Sequence, residues 1–175
     1  MAPPRRRPLP QRRLDALATR RESCATACRA ILGSDADNDV KRCALDALVR
    51  YATPIGAQRL GQWRTAGVAA LDGVRPERGQ IHGEHVLPVR VMVDRMMSGD
   101  EPAAVLEVAV VAHVLAVEHA SIGPLVKRHA DLYERMKVAP LAELPELALE
   151  RYRATGLELV SIEVETALED RGGIA

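Results

Sequence analysis

The residues of this 175-residue chain best suited to chemistry at neutral pH are its five histidines and the carboxylates beside them. His82, Glu84 and His85 lie together in GQIHGEHVLP, an irregular glycine-containing stretch, and His119 follows Glu118 further on. Imidazole exchanges a proton near neutrality and, when neutral, ligates divalent cations. A carboxylate nearby can orient it or share the cation. His113 sits inside the run VAVVAHVLAV, where a lone histidine is more often a hydrogen-bonded core residue than a ligand. His129 falls on a helical apolar stripe and reads as a packing residue.

Competing chemistries leave little trace. The chain has no phosphate-binding P-loop, no HExxH pair and no GxSxG elbow, and GVRPERGQIHG lacks the glycine spacing of a dinucleotide turn. Its three cysteines, Cys24, Cys28 and Cys43, fall on inferred core stripes and read as small buried residues rather than nucleophiles. An odd number of thiols, and an N-terminal MAPPRRRPLPQRR without an apolar segment, suit a cytoplasmic protein rather than a secreted one.

The elements that must position these groups can be read from periodicity. Residues 1–11 hold four prolines and three arginines and read as a disordered basic arm. Leu14, Leu17, Cys24, Cys28, Ile31 and Leu32 then form a helical stripe, closed by Gly33. Asp37 is the expected N-cap of a second helix, whose apolar face reads as Val40, Cys43, Ala44, Ala47, Leu48 and Tyr51 and which ends near Thr53, before Pro54. A third helical stretch is expected over 55–71. The segment IHGEHV reads as extended, running into a helix over Val89–Met97 that Pro88 helps to start. Glu101-Pro102 opens a short helix. The five valines of VAVVAHVLAV favour a buried strand over about Val108 to Ala116. Helical spacing returns over 118–136 and over Leu147–Ala154, and LELVSI reads as an edge strand. These readings give a mostly helical α+β fold. Residues 12–73 form a helical part, 74–136 a strand-helix-strand-helix site region and 137–175 an acidic helix and strand. The N-terminal helices pack on a small two-stranded element plus a helix.

The order extended segment ending in carboxylate-histidine, proline, strand, then a helix with histidine in its first turns resembles the ββα-metal (HNH-like) nuclease finger over roughly residues 80–130. GEHVLP looks like its first strand, VAVVAHVLAV like its second and VEHASIGPL like the start of its metal-binding helix. The resemblance implies that Glu84 and His119 bind a divalent metal (Mg, Mn or Zn) and that His85 activates water as general base. His82, His113 and Glu118 would be additional site residues. The match departs from the family at four points: no Asn lies between His85 and His119, those two residues are 34 apart with a helical insertion expected between them, Gly123 stands where a second helical histidine would be, and CxxC pairs are absent. A plainer reading makes Glu84 and His85 a local hydrogen-bonded pair, with Glu118 and His119 merely opening a helix, since acids are favoured in a first turn.

Composition bounds the partners. The chain holds 24 basic and 24 acidic residues, 47% hydrophobic residues and no run long enough to span a membrane. The neutral balance is uneven. Residues 1–30 contain eight Arg against Asp15 and Glu22, and residues 138–175 contain eight acids against three Arg. Arg5, Arg6, Arg7, Arg12 and Arg13 are therefore candidate phosphate contacts for nucleic acid. The opposite polarity of the ends equally allows a homo-oligomer or a protein partner. One Trp and no Phe argue against a base-stacking platform. Two functions stand side by side: a metal-dependent HNH-like endonuclease, or a non-catalytic helical interaction module within a larger assembly.

Overall fold

In the computed structural model, which describes residues 11–53, 63–71, 76–109, 111–122 and 129–161, the bounds of the first two helices follow the sequence pattern closely. Helix α1 spans Gln11–Leu32 and α2 spans Asn38–Ala52. The Asp37 carboxylate accepts hydrogen bonds from the backbone N–H groups of Asp39 at 3.0 Å and Val40 at 2.9 Å, satisfying two of the donors that a helix start leaves open. Cys24 and Cys28 are buried, as their stripe required, and burial pushes the Cys28 thiol up to about 11.

The buried face of α2 is not the expected one. Val40 is 55% exposed and Tyr51 61%, and Cys43 also faces out, whereas Leu45, Val49 and Ala52 are buried. Two overlapping stripes of helical spacing run along this helix, and Leu48 borders both. Because α2 packs between α1 and α4 (Val89–Met97), the aliphatic stripe of Leu45 and Val49 turns inward. Tyr51 instead receives the Arg20 guanidinium over its ring, 4.8 Å from the centroid.

Of the expected third helix, residues 55–62 lie outside the described ones, and residues 63–71 hold instead a strand, β1 (Trp63–Thr65), and a single turn, α3 (Ala66–Ala69). With β2 (Ile81–His85), β3 (Val111–Leu115) and β4 (Leu159–Ser161) it builds a four-stranded sheet in the order β2-β3-β1-β4, larger than the two strands expected. β2 runs antiparallel to β3, with Ile81 opposite Leu115 and His85 opposite Val111. β1 is parallel to β3 and antiparallel to β4. Between β2 and β3 lie α4 and α5 (Pro102–Glu107), so these paired strands are not a simple hairpin. Within the valine run Val108 still caps α5, and the described strand covers Val111–Leu115.

Helix α6 (Ala116–Ile122) follows β3 directly and packs on both β2 and β3. Its start is fixed by Glu118, whose Oε2 accepts from the Leu115 N–H at 2.8 Å and from the Thr65 hydroxyl at 2.6 Å. This is the reach-back half of a capping box, tied in addition to β1. Gly67 makes room for it: a Cβ there would lie 2.5 Å from Glu118 Oε1 and 2.8 Å from Leu115 Cδ1. Of the helical spacing expected over 118–136, the described residues show α6 and α7 (Ala130–Val138), and 123–128 lie outside them. Helix α8 (Leu144–Arg153) ends before Gly156, whose φ of +73° supplies the left-handed turn into β4. Buried Arg95 of α4 donates to the carbonyls of Lys137 and Ala139, each at 2.7 Å, and closes the end of α7. One cluster of buried side chains, from Cys24 in α1 to Tyr152 in α8, joins these helices to the sheet.

Candidate functional site

Side chains along a strand alternate between its faces, so His82 and Glu84 of β2 share one face and His85 points to the other. Helix α6 brings His119 to the first face, where its Nδ1 contacts Glu84 Oε2. The His82 ring lies flat against that of His119, with centroids 5.3 Å apart and ring planes 4° from parallel. His119 is 48% exposed on its side chain and His82 is exposed, while Glu84 is largely covered. Three residues singled out from the sequence therefore meet at the surface of the β2-β3-α6 unit.

The second oxygen of Glu84 is held from below. Arg151 of α8, only 4% exposed, places Nη2 at 2.9 Å from Glu84 Oε1, 2.9 Å from the His85 carbonyl oxygen and 3.2 Å from the Tyr152 hydroxyl. The guanidinium carbon lies 5.1 Å from the centre of the Tyr152 ring. Burial pushes the Tyr152 phenol up to about 12, so the hydroxyl stays protonated at neutral pH. Arg151 escaped the sequence reading because its partner is 67 positions away and nothing local to ERYRATG marks it.

His85 does not join this group. It is 6% exposed on the opposite face, with Nε2 at 2.6 Å from the Thr53 hydroxyl oxygen. That hydroxyl donates to the Val49 carbonyl at 2.7 Å, so the ring nitrogen is the donor to Thr53. Burial first, and then the Arg50 guanidinium, hold the His85 pKa below the usual histidine value. The expected general base is thus a neutral core residue that ties β2 to the end of α2.

The additional candidates divide in the same way. His113 is buried at the centre of β3, paired across the sheet with Gly83 and Arg64, and alternation puts it on the His85 side. Glu118 is occupied in starting α6. Arg12 and Arg13 belong to the first turn of α1, and Arg5, Arg6 and Arg7 lie outside the described residues. No family model, curated protein or solved structure matches this chain.

As ligands, Glu84 and His119 offer one carboxylate and one imidazole, with Arg151 leaving the His119-facing oxygen of Glu84 outside its own ion pair. Among the described residues no group of three His, Cys, Asp or Glu side chains is arranged to hold a metal. The carboxylate is a donor that Mg or Mn accepts, with waters and the oxygens of a bound phosphate completing the shell, whereas an imidazole better suits softer cations. Zinc would need additional protein ligands. No helix among the described residues is long and apolar enough to cross a membrane.

Proposed function

We propose that this protein is a metal-dependent, HNH-like phosphodiesterase acting on nucleic acid, its reactive centre built from Glu84, His119 and His82. The observation that carries the proposal is the meeting of Glu84 on β2 with His119 on α6, at the open face of an antiparallel strand pair followed directly by a helix. Glu84 and His119 would hold the divalent ion, which when bound supplies positive charge at the scissile phosphate. His82 takes the role first expected of His85. It is exposed beside His119, so its ring can receive the proton of the attacking water as the new P–O bond forms and the sugar oxygen departs. The N-terminal arginines would add phosphate affinity without reading sequence. Three free cysteines fit a reducing, cytoplasmic setting.

The test is nicking of supercoiled plasmid by the full chain with Mg or Mn. Wild type and His85→Asn are expected to cut and His82→Ala is not. If His85→Asn folds but is inactive while His82→Ala still cuts, the base belongs to His85. A second reading, a non-catalytic interaction module, draws on a separate feature. An open groove of about 730 Å³ between α2, α4 and the end of α7 is lined by Arg42, Arg90, Lys137, Asp46, Asp94 and Cys43, away from Glu84. Absence of nicking with every divalent ion, together with partner binding lost on substitution in that groove, would favour it.

A further inference from the structure

Helix α2 carries two apolar stripes, and the core of the chain uses only that of Leu45, Val49 and Ala52. The other, Val40, Cys43, Ala44, Ala47 and Tyr51, runs the length of its outer side. Val40 and Tyr51 are more than half exposed, Cys43 and Ala47 are exposed between them, and Ala44 is half-buried. Single exposed apolar residues are ordinary, but a continuous stripe at helical spacing is the pattern of a face that packs on another helix. Lys41 and Arg42 turn away from it, onto the Leu32 carbonyl at 3.0 Å and onto Asp94.

The stripe is its own complement when two copies of α2 meet in opposite directions. Its bulky residues stand at the ends and its small ones in the middle. Val40 of one helix then lies on Tyr51 of the other, Cys43 and Ala44 face Ala47, and the small centre lets the two backbones approach closely. Charge follows the same symmetry. Asp39 and Arg50 are eleven residues apart, about three turns, so they share one edge of the stripe. A two-fold axis keeps that edge on the same side in both copies and reverses the helix direction, which sets Asp39 against Arg50 of the second copy at each end. Asp35, Asp37 and Asp39 are exposed at the start of α2, whereas Arg50 and Arg20, whose guanidinium lies over Tyr51, stand at its finish. Arg50 also pairs with Asp46 of its own helix, at 2.6 Å. Parallel packing would instead oppose acid to acid and base to base, and would align the two helix dipoles.

We propose that the outer face of α2 binds the same face of a second copy of this chain, as an antiparallel two-fold helix pair. Such a dimer needs nothing from the Glu84–His119 face and forms whether or not that face is catalytic. One helix face is small against the roughly 1,200–2,000 Å² of a stable interface, so the dimer exchanges with monomer rather than being permanent.

The test is sedimentation velocity of the full chain from about 1 μM to about 1 mM, alongside cross-linking with a short bis-maleimide. Cys43 is exposed whereas Cys24 and Cys28 are buried, so the reagent reports on α2. In the antiparallel register the two Cys43 residues are offset by four or five positions, about 6–8 Å along the helices, within reach of such a linker. Wild type is expected to become dimeric within that concentration range and to cross-link as a dimer. Ala47→Glu replaces an exposed residue by a good helix former and sets two carboxylates near the two-fold axis. It should weaken the dimer about tenfold or more and abolish the cross-link. If it does not fold by circular dichroism, Ala47→Arg takes its place. Asp39→Lys and Arg50→Asp should each weaken the dimer several-fold at low salt. The double variant, which restores both pairs with their signs exchanged, should recover most of that loss. A wild type that stays monomeric to about 1 mM overturns the proposal and leaves the face to a different partner. A dimer that the Ala47 variants leave intact overturns it too. If either charge reversal alone changes nothing, or the double variant is weaker than both single ones, the antiparallel register is wrong and the proposal falls with it.

Discussion

The two oxygens of Glu84 have different work: one meets a buried guanidinium and the other an exposed imidazole. Its neighbour His85 shows how one step along a strand changes a residue's role. Adjacent positions in β2 separate a largely covered carboxylate on one face from a core histidine on the other, and the separation has a consequence for stability. His85 binds its proton less readily in the folded chain than in the unfolded one, because burial and Arg50 oppose the charge. Between the lowered folded value and the ordinary value of 6.5, the unfolded chain therefore holds more protons. The stability that His85 contributes is complete above about 6.5 and is lost as pH falls towards the folded value. Urea midpoints measured across pH 5 to 8 should fall on the acid side, and more steeply in wild type than in His85→Asn. Removing the partner should also matter. Thr53→Val leaves the ring N–H without an acceptor and should cost about 1–3 kcal/mol, read from the same denaturation curves.

At the scale of elements, the link between β1, α3 and α6 decides whether His119 reaches Glu84. Glu118 makes that link and Gly67 makes space for it. Glu118→Ala should remove the cap and the hydrogen bond from Thr65, costing about 1–2 kcal/mol. Gly67→Ala should cost about 1–3 kcal/mol by overpacking against Glu118 and Leu115. Thermal unfolding checks both, and the double variant should be less destabilised than the sum, because removing Glu118 relieves part of the Gly67 clash. These elements were unevenly legible in the sequence. α1, the Asp37 cap, β2, α4 and the C-terminal strand follow from local signals: apolar spacing, cap oxygens and a proline before a helix. β1 did not, because Trp63, Arg64 and Thr65 become a strand only by pairing with β3 and β4, partners that are distant in sequence. The buried face of α2 is illegible for a related reason, since two stripes with equal spacing are separated only by which neighbours pack on the helix. In the site, Glu84 and His119 were legible from residue type. The outward turn of His82, the inward turn of His85 and the arrival of Arg151 depend on strand phase and long-range packing.

Over the whole molecule, charge is arranged by region, with basic residues concentrated before residue 30 and acidic ones after residue 138. If the arm serves nucleic acid, removing residues 1–10, which carry Arg5, Arg6 and Arg7, should weaken duplex binding with little regard to sequence. It should also flatten the dependence of log K on log salt by roughly three, near 0.9 for each phosphate that an arginine no longer neutralises. Titrations of wild type and truncated chain at several salt concentrations check this, and an unchanged slope would assign the arm to another partner. The arm concerns affinity, whereas the proposed chemistry rests on three side chains, His82 and Glu84 from β2 and His119 from α6. The most direct test is the Mn²⁺-dependent rate at which supercoiled plasmid is nicked by wild type, Glu84→Gln and His119→Ala, with folding and DNA binding measured on the same samples. The account predicts nicking by wild type and a loss of about 100-fold or more in each variant with DNA binding retained. Equal rates in all three proteins, or no nicking by wild type, would contradict it.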